Sequence, residues 1–113
     1  MKLPHGDWAA VPQHKVTRYL LSLDHPEGGS KARYFRGLGF HGSDPALLIE
    51  ALRQIALDGE VRETVGSRFG RKYVVAGVMQ TPIGRLVTIR TVWIVLKGEE
   101  TPRFVTAYPE GTA

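Results

Sequence analysis

The chain has 113 residues, a formal net charge of +4 at pH 7, no cysteine, and ten arginines against five lysines. That length suits one domain over 1–113, able to bury about two-thirds of the surface its unfolded chain exposes. Without thiols there are no disulfides, no thiolate catalysis and no zinc site that needs sulfur. No apolar run approaches a membrane span, and the opening Met1-Lys2-Leu3-Pro4 lacks the apolar core of a signal peptide, so no membrane partner is expected. The arginine excess favours planar anionic groups such as phosphates and brings nucleic acid in as a partner; a solvated basic surface is the plainer alternative.

Residues 1–12 read as an irregular arm, with Trp8 packed on the body of the domain. Val16, Tyr19, Leu20 and Leu23 recur at helical spacing and predict a helix over 13–23, with Lys15 and Arg18 outside its apolar stripe. Asp24-His25-Pro26 stops it, because Pro26 disfavours helical backbone at His25 and leaves the imidazole on an elbow. Gly28, Gly29 and Ser30 supply a turn, Ser30 caps a second helix over 31–38, and Gly39 ends it. Its inward positions are Ala32, Phe35 and Leu38. A helix start presents unpaired N–H groups and partial positive charge, and Lys31, Arg33 and Arg36 add full charges there. The segment from His25 to Arg36 therefore suits an oxyanion, against the bland alternative of a polar loop with solvated basic residues.

Asp44-Pro45 opens a third helix over 44–58, with Leu48, Ala51, Leu52, Ile55 and Ala56 buried and Gly59 closing it. From Arg62 onward the period becomes strand-like. Residues 72–79 and 86–96 predict a hairpin around Thr81-Pro82-Ile83-Gly84, and 103–108 a further strand. Register is open. One pairing puts Val74, Ala76 and Val78 on a face with Val87, Ile89, Thr91 and Trp93. Helices followed by consecutive strands predict an α+β domain with an antiparallel sheet.

Thr91 and Trp93 share one face of their strand, as do Thr106 and Tyr108. All four are good strand formers and need no other role. With Arg90 and Lys31, the same side chains could surround a phosphate. Among the four histidines no pair has the i, i+4 spacing of a helical metal site, so no metal is expected, and His25 is the one of interest. A phosphate-binding P-loop, a G-x-S-x-G elbow and a catalytic carboxylate pair are all missing, which removes nucleotide triphosphatase and serine hydrolase chemistry.

His25-Pro26, then Lys31-Ala32-Arg33 with Phe35 and Leu38-Gly39, then Arg90-Thr91-x-Trp93-Ile94, and finally Pro102-Arg103 with Thr106 and Tyr108, form a pattern over nearly the whole chain. It resembles a small bacterial family of unknown function, found alone and as the toxic C-terminal tip of filamentous-haemagglutinin-like contact-dependent inhibition proteins. The pattern departs from this chain at Ala76-Gly77 and around 40–46. Toxin members of that kind are similar to the barnase/EndoU/colicin/RelE superfamily of metal-independent ribonucleases, with N-terminal helices against an antiparallel sheet.

The resemblance implies a ribonuclease-like domain acting on tRNA or another structured RNA, in the cytoplasm or delivered to a target cell's cytoplasm. It would work without a cofactor and form a 2′,3′-cyclic phosphate. His25, Lys31, Thr106 and Tyr108 would be catalytic, and Arg33, Arg90, Thr91 and Trp93 would bind substrate. An acidic immunity or antitoxin protein would be a partner, since an acidic surface best blocks a basic cleft. The alternative is a non-catalytic RNA-binding or protein-interaction module with the same fold.

Overall fold

Four strands, β1 (Glu60–Ser67), β2 (Gly70–Gln80), β3 (Leu86–Leu96) and β4 (Arg103–Pro109), form one antiparallel sheet in sequence order. The computed structural model describes residues 1–26 and 29–111. Side chains alternate across a strand, so the pairing decides which ones enter the core. Val75 pairs with Thr91 and Tyr73 with Trp93. The helix-side face therefore carries Val75, Met79, Ile89, Thr91, Trp93, Phe104 and Ala107, all buried. Val74 pairs with Val92 and Val78 with Thr88, on the opposite face. The pairing that set Val74 and Val78 beside Ile89 and Thr91 is thus off by one residue: the connection over 81–85, closed by Gly84 N–H donating to the Thr81 carbonyl, sets the register instead. β1 lies beyond the expected strands. Seven of its eight positions are exposed, so the strand-like period that begins at Arg62 has almost no buried side to mark its bounds.

Three helices supply the other layer. The first, α1, begins as an α-helical turn at Gln13–Lys15 and widens into a π-helical turn at Val16–Leu20, where the Leu21 N–H reaches the Val16 carbonyl at 2.8 Å. Widening the turn changes the stripe. Val16, Leu20 and Leu21 are buried, whereas Leu23, expected inside, is 50% exposed beyond the helix end.

Helix α2 (Gly29–Gly37) buries Ala32 and Phe35, with Leu38 just past its end. It starts one residue before Ser30, so Ser30 lies inside the helix instead of capping it, and the turn expected at Gly28 lies outside the described residues. Gly39 stops the helix with φ +99°, a left-handed conformation that glycine adopts without steric cost, and the Phe40 N–H then bonds back to the Phe35 carbonyl. Arg36 donates from Nε and Nη2 to the Leu21 carbonyl at 2.9 and 2.7 Å, which ties the end of α1 to α2. Helix α3 (Pro45–Asp58) packs on β2 and β3 through Leu48, Leu52, Ile55 and Ala56. Asp44 stands at its N-cap position without a side-chain capping bond, and Pro45 takes the first helical position.

The N-terminal arm is more ordered than its composition suggested. It holds a 3-10 turn at Gly6–Trp8 and bridges to β4, with Ala10 N–H donating to the Pro102 carbonyl and Phe104 N–H to the Ala10 carbonyl, each at 2.9 Å. Trp8 does not pack on the body: it is 59% exposed and stacks on His5 at 5.4 Å between ring centroids. Among the described residues no helix is long and apolar enough to cross a membrane.

Candidate active site

Tyr19 is the hub of the only place where the N-terminal helices and the edge of the sheet bring several polar functional groups together among the described residues. It sits on the π-helical turn, its ring packed against the margin of the core and its hydroxyl reaching β4. The Lys31 ammonium, in the first turn of α2, donates to the Tyr19 hydroxyl at 2.9 Å. The Tyr19 and Thr106 hydroxyls bond each other at 2.8 Å. Thr106 is half-buried on β4 beside the buried Ala107, at the irregularity in the β3–β4 pairing between Val92 and Trp93. The His25 ring meets the Tyr19 ring edge-on at 5.0 Å. Lys31 and Lys15 also place their ammonium groups 5.4 and 5.7 Å from the Tyr19 ring centroid, within cation–π range.

Around these groups lies an open cleft of about 520 Å³, lined by His14, Lys15, Arg18 and His25 together with Tyr19 and Thr106. Every ionisable side chain on that lining other than the phenol is basic or an imidazole. The Tyr19 phenol responds: burial alone would push its pKa up, but the hydrogen bonds from Lys31 and with Thr106, together with the positive charges of Lys31 and Lys15, outweigh burial and hold it below the usual tyrosine value. An acidified phenol, a lysine, a hydroxyl and two imidazoles in a cationic cleft can bind an anionic ester and move protons on and off its oxygens.

Of the site residues read from the sequence, His25, Lys31 and Thr106 converge here, on Tyr19. The others do not. Thr91 and Trp93 are fully buried: the Trp93 Nε1–H donates to Thr91 Oγ1 at 2.7 Å, and Thr91 Oγ1 donates to the Val75 carbonyl at 2.9 Å. With Trp93 edge-on to Phe104 at 5.4 Å, both belong to the core and present no surface to a substrate. Arg33 is exposed on α2, two positions from Lys31 and so about 200° around the helix from it. Arg90 donates from Nε to Glu110 at 3.1 Å; its bond to Glu110, opposed by desolvation and aided by Tyr108, raises its already high pKa. Tyr108 pairs with Arg90 on the neighbouring strand, so these two form a separate group with Glu110.

Tyr19, His14, Lys15 and Arg18 are the additions. Tyr19 was concealed by its apolar spacing with Val16 and Leu20. The available signal is a hydroxyl-bearing residue in that stripe flanked by Lys15 and Arg18, four residues ahead of the end of the helix expected over 13–23. Among the described residues no three His, Asp or Glu side chains gather as a metal site would require.

The model of a family described as a domain of unknown function, DUF6883, matches residues 2–111. No curated protein matches the chain. Among solved structures, a chain of a contact-dependent growth inhibition toxin–immunity protein complex from Klebsiella pneumoniae 342 superimposes with a TM-score of 0.70 at 17% identity, over 95% of this chain and 97% of that one. At that identity the likeness establishes the shared fold, three helices on a four-stranded antiparallel sheet.

Proposed function

The chain belongs to the DUF6883 family, and from that premise and the geometry of the Tyr19 cleft we propose that it is a toxin-related, metal-independent ribonuclease-like domain that cleaves tRNA or another structured RNA. The observation that carries this is the Lys31–Tyr19–Thr106 chain of hydrogen bonds, at 2.9 and 2.8 Å, opening into a cleft that also holds His14 and His25. The fold shared with a chain of a toxin–immunity complex supports the toxin-related part, and with it an acidic immunity-type partner that covers the cationic cleft. The place of action is the cytoplasm, of the producing cell or of a target cell.

In the reaction the RNA's 2′-oxygen bonds to the adjacent phosphorus while the bond from phosphorus to the 5′-oxygen breaks. The products are a 2′,3′-cyclic phosphate and a free 5′-hydroxyl. One proton leaves the 2′-hydroxyl and one is delivered to the departing 5′-oxygen. His25 takes the first, as imidazole is the side chain type that changes charge near neutral pH. Tyr19, made more acidic by Lys31, gives the second. Lys31 and Thr106 hold the negative charge that gathers on the phosphorane oxygens. A single-stranded or looped segment fits an open cleft of this kind better than a duplex.

Total tRNA incubated with the protein and a chelator tests this. Products ending in 2′,3′-cyclic phosphate are expected, and Lys31→Ala lowers the rate by about 10²-fold or more while circular dichroism stays unchanged. Cleavage that requires a divalent metal, or that survives Lys31→Ala, contradicts the mechanism. Folded protein that cleaves no RNA leaves a binding module with this fold.

A further inference from the structure

At the turn between β1 and β2 the chain reads Ser67-Arg68-Phe69-Gly70-Arg71-Lys72. Three cations and an aromatic ring follow one another there with no acidic residue, the last one before them being Glu63. Phe69 is 62% exposed, an unusual placement for a residue of that size. Its backbone is nevertheless held on both sides: the Phe69 N–H donates to Ser67 Oγ at 3.2 Å, and its carbonyl accepts from the Lys97 N–H at 2.9 Å. Gly70 closes the turn at φ +150°, where a Cβ would stand 2.1 Å from the Val95 carbonyl oxygen, so the tip lies tight against β3. The ring is thereby presented to solvent on a fixed backbone.

The Arg68 guanidinium lies 4.9 Å from the centroid of that ring. Beside it a cleft of about 450 Å³ is walled by Val65, Phe69, Ile94 and Leu96, with Lys72 on its rim. Arg68, Arg71 and Lys72 are all exposed, and the ion pairs among the described residues involve other side chains. No residue lining this cleft lines the Tyr19 cleft. A pinned, solvent-facing aromatic ring with uncompensated cations around it is what a strand of unpaired nucleotides needs: a base stacks on the ring and the flanking phosphates meet the cations.

We propose that the β1–β2 tip is a second contact for RNA, a stacking platform on which Phe69 takes a base of a single-stranded segment while Arg68, Arg71 and Lys72 hold its phosphates. It rests on the reading of RNA as substrate and adds the feature the substrate must carry: an unpaired stretch outside the cleaved bond.

A fluorescent 2′-O-methyl oligoribonucleotide, which lacks the attacking hydroxyl and cannot be cleaved, separates binding at the tip from chemistry at Tyr19. Fluorescence anisotropy at low salt is expected to show binding that Phe69→Ala weakens about tenfold and Phe69→Trp retains. Replacing Arg68, Arg71 and Lys72 together by Ala weakens it further and flattens its dependence on salt. Photocrosslinking of a 5-bromouridine-containing oligonucleotide places the contact on Phe69, independently of how the variants fold. Equal binding by the wild type and Phe69→Ala overturns the platform and leaves a tip that senses charge alone, as an acidic protein would use it; absence of binding at low salt overturns it as well. Phe69-dependent binding by a protein that cleaves no tRNA upholds the platform and defeats the ribonuclease reading instead.

Discussion

Two hydroxyl–aromatic pairs lie in this small domain, and they have opposite environments. Thr91 and Trp93 bond to each other in the interior, with the threonine hydroxyl donating a hydrogen bond to the Val75 carbonyl and both residues fully buried. Thr106 and Tyr19 bond to each other at the edge of the sheet, with Lys31 donating to the phenol and an open cleft alongside. The first pair satisfies its polar atoms internally and has nothing left to offer a ligand. The second reaches solvent beside Lys31, Lys15, Arg18 and two imidazoles. Side-chain chemistry is much the same in the two places; strand parity and the cover of a helix layer make one a structural element and the other a reactive one.

The comparison is broken most forcefully from the interior. Trp93→Ala removes a fully buried indole and its edge contact with Phe104, and is expected to cost about 3–5 kcal/mol of folding stability, read by denaturant unfolding. Thr91→Val keeps the shape but leaves the buried indole N–H without its acceptor, with an expected loss of about 1–3 kcal/mol in the same measurement. At the edge, Tyr19→Phe removes a partly exposed hydroxyl and is expected to cost about 0.5–1.5 kcal/mol. An interior that tolerates Thr91→Val better than the edge tolerates Tyr19→Phe would reverse the assignment of the two pairs.

A gentler probe sharpens the contrast without unfolding anything. Tyr19 is expected to ionise below the ordinary value of 10.0 in an ultraviolet titration, and Lys31→Ala moves its ionisation upward. The sign of the linked stability follows. Because the folded-state pKa is depressed, the unfolded chain binds more protons between the two pKa values, so the contribution of Tyr19 to stability grows as pH rises toward 10.0. It is lost as pH falls through the folded value. A Tyr19 ionisation that Lys31→Ala leaves unmoved would contradict the lysine–phenol bond.

The sequence carried much of the fold and only part of the site. Helix α3 and the strands β2, β3 and β4 announce themselves through strong periodicity and β-branched runs, whereas β1 has almost no buried side. Thr91 and Trp93 looked eligible for substrate because a strand's pattern says which residues share a face, not which face the helices cover; the register around 81–85 decides that. His25, Lys31 and Thr106 were found as separate polar residues on a turn, a helix start and a strand. Their common partner stayed hidden because Tyr19 fits an apolar helical spacing, and the switch from α to π backbone at Val16 has no sequence signature. From the sequence Arg90 reads as a phosphate contact, since its pairing with Glu110 depends on the extension of β4 alongside β3.

The separation of the two pairs is tested most directly by measuring tRNA cleavage in chelator and thermal stability together for Tyr19→Phe and Thr91→Val. The expected pattern is crossed: Tyr19→Phe melts no earlier than Thr91→Val yet loses nearly all cleavage, while Thr91→Val, below its transition, cleaves at the wild-type rate. Cleavage by Tyr19→Phe at the wild-type rate would contradict the placement of the reactive site at Tyr19.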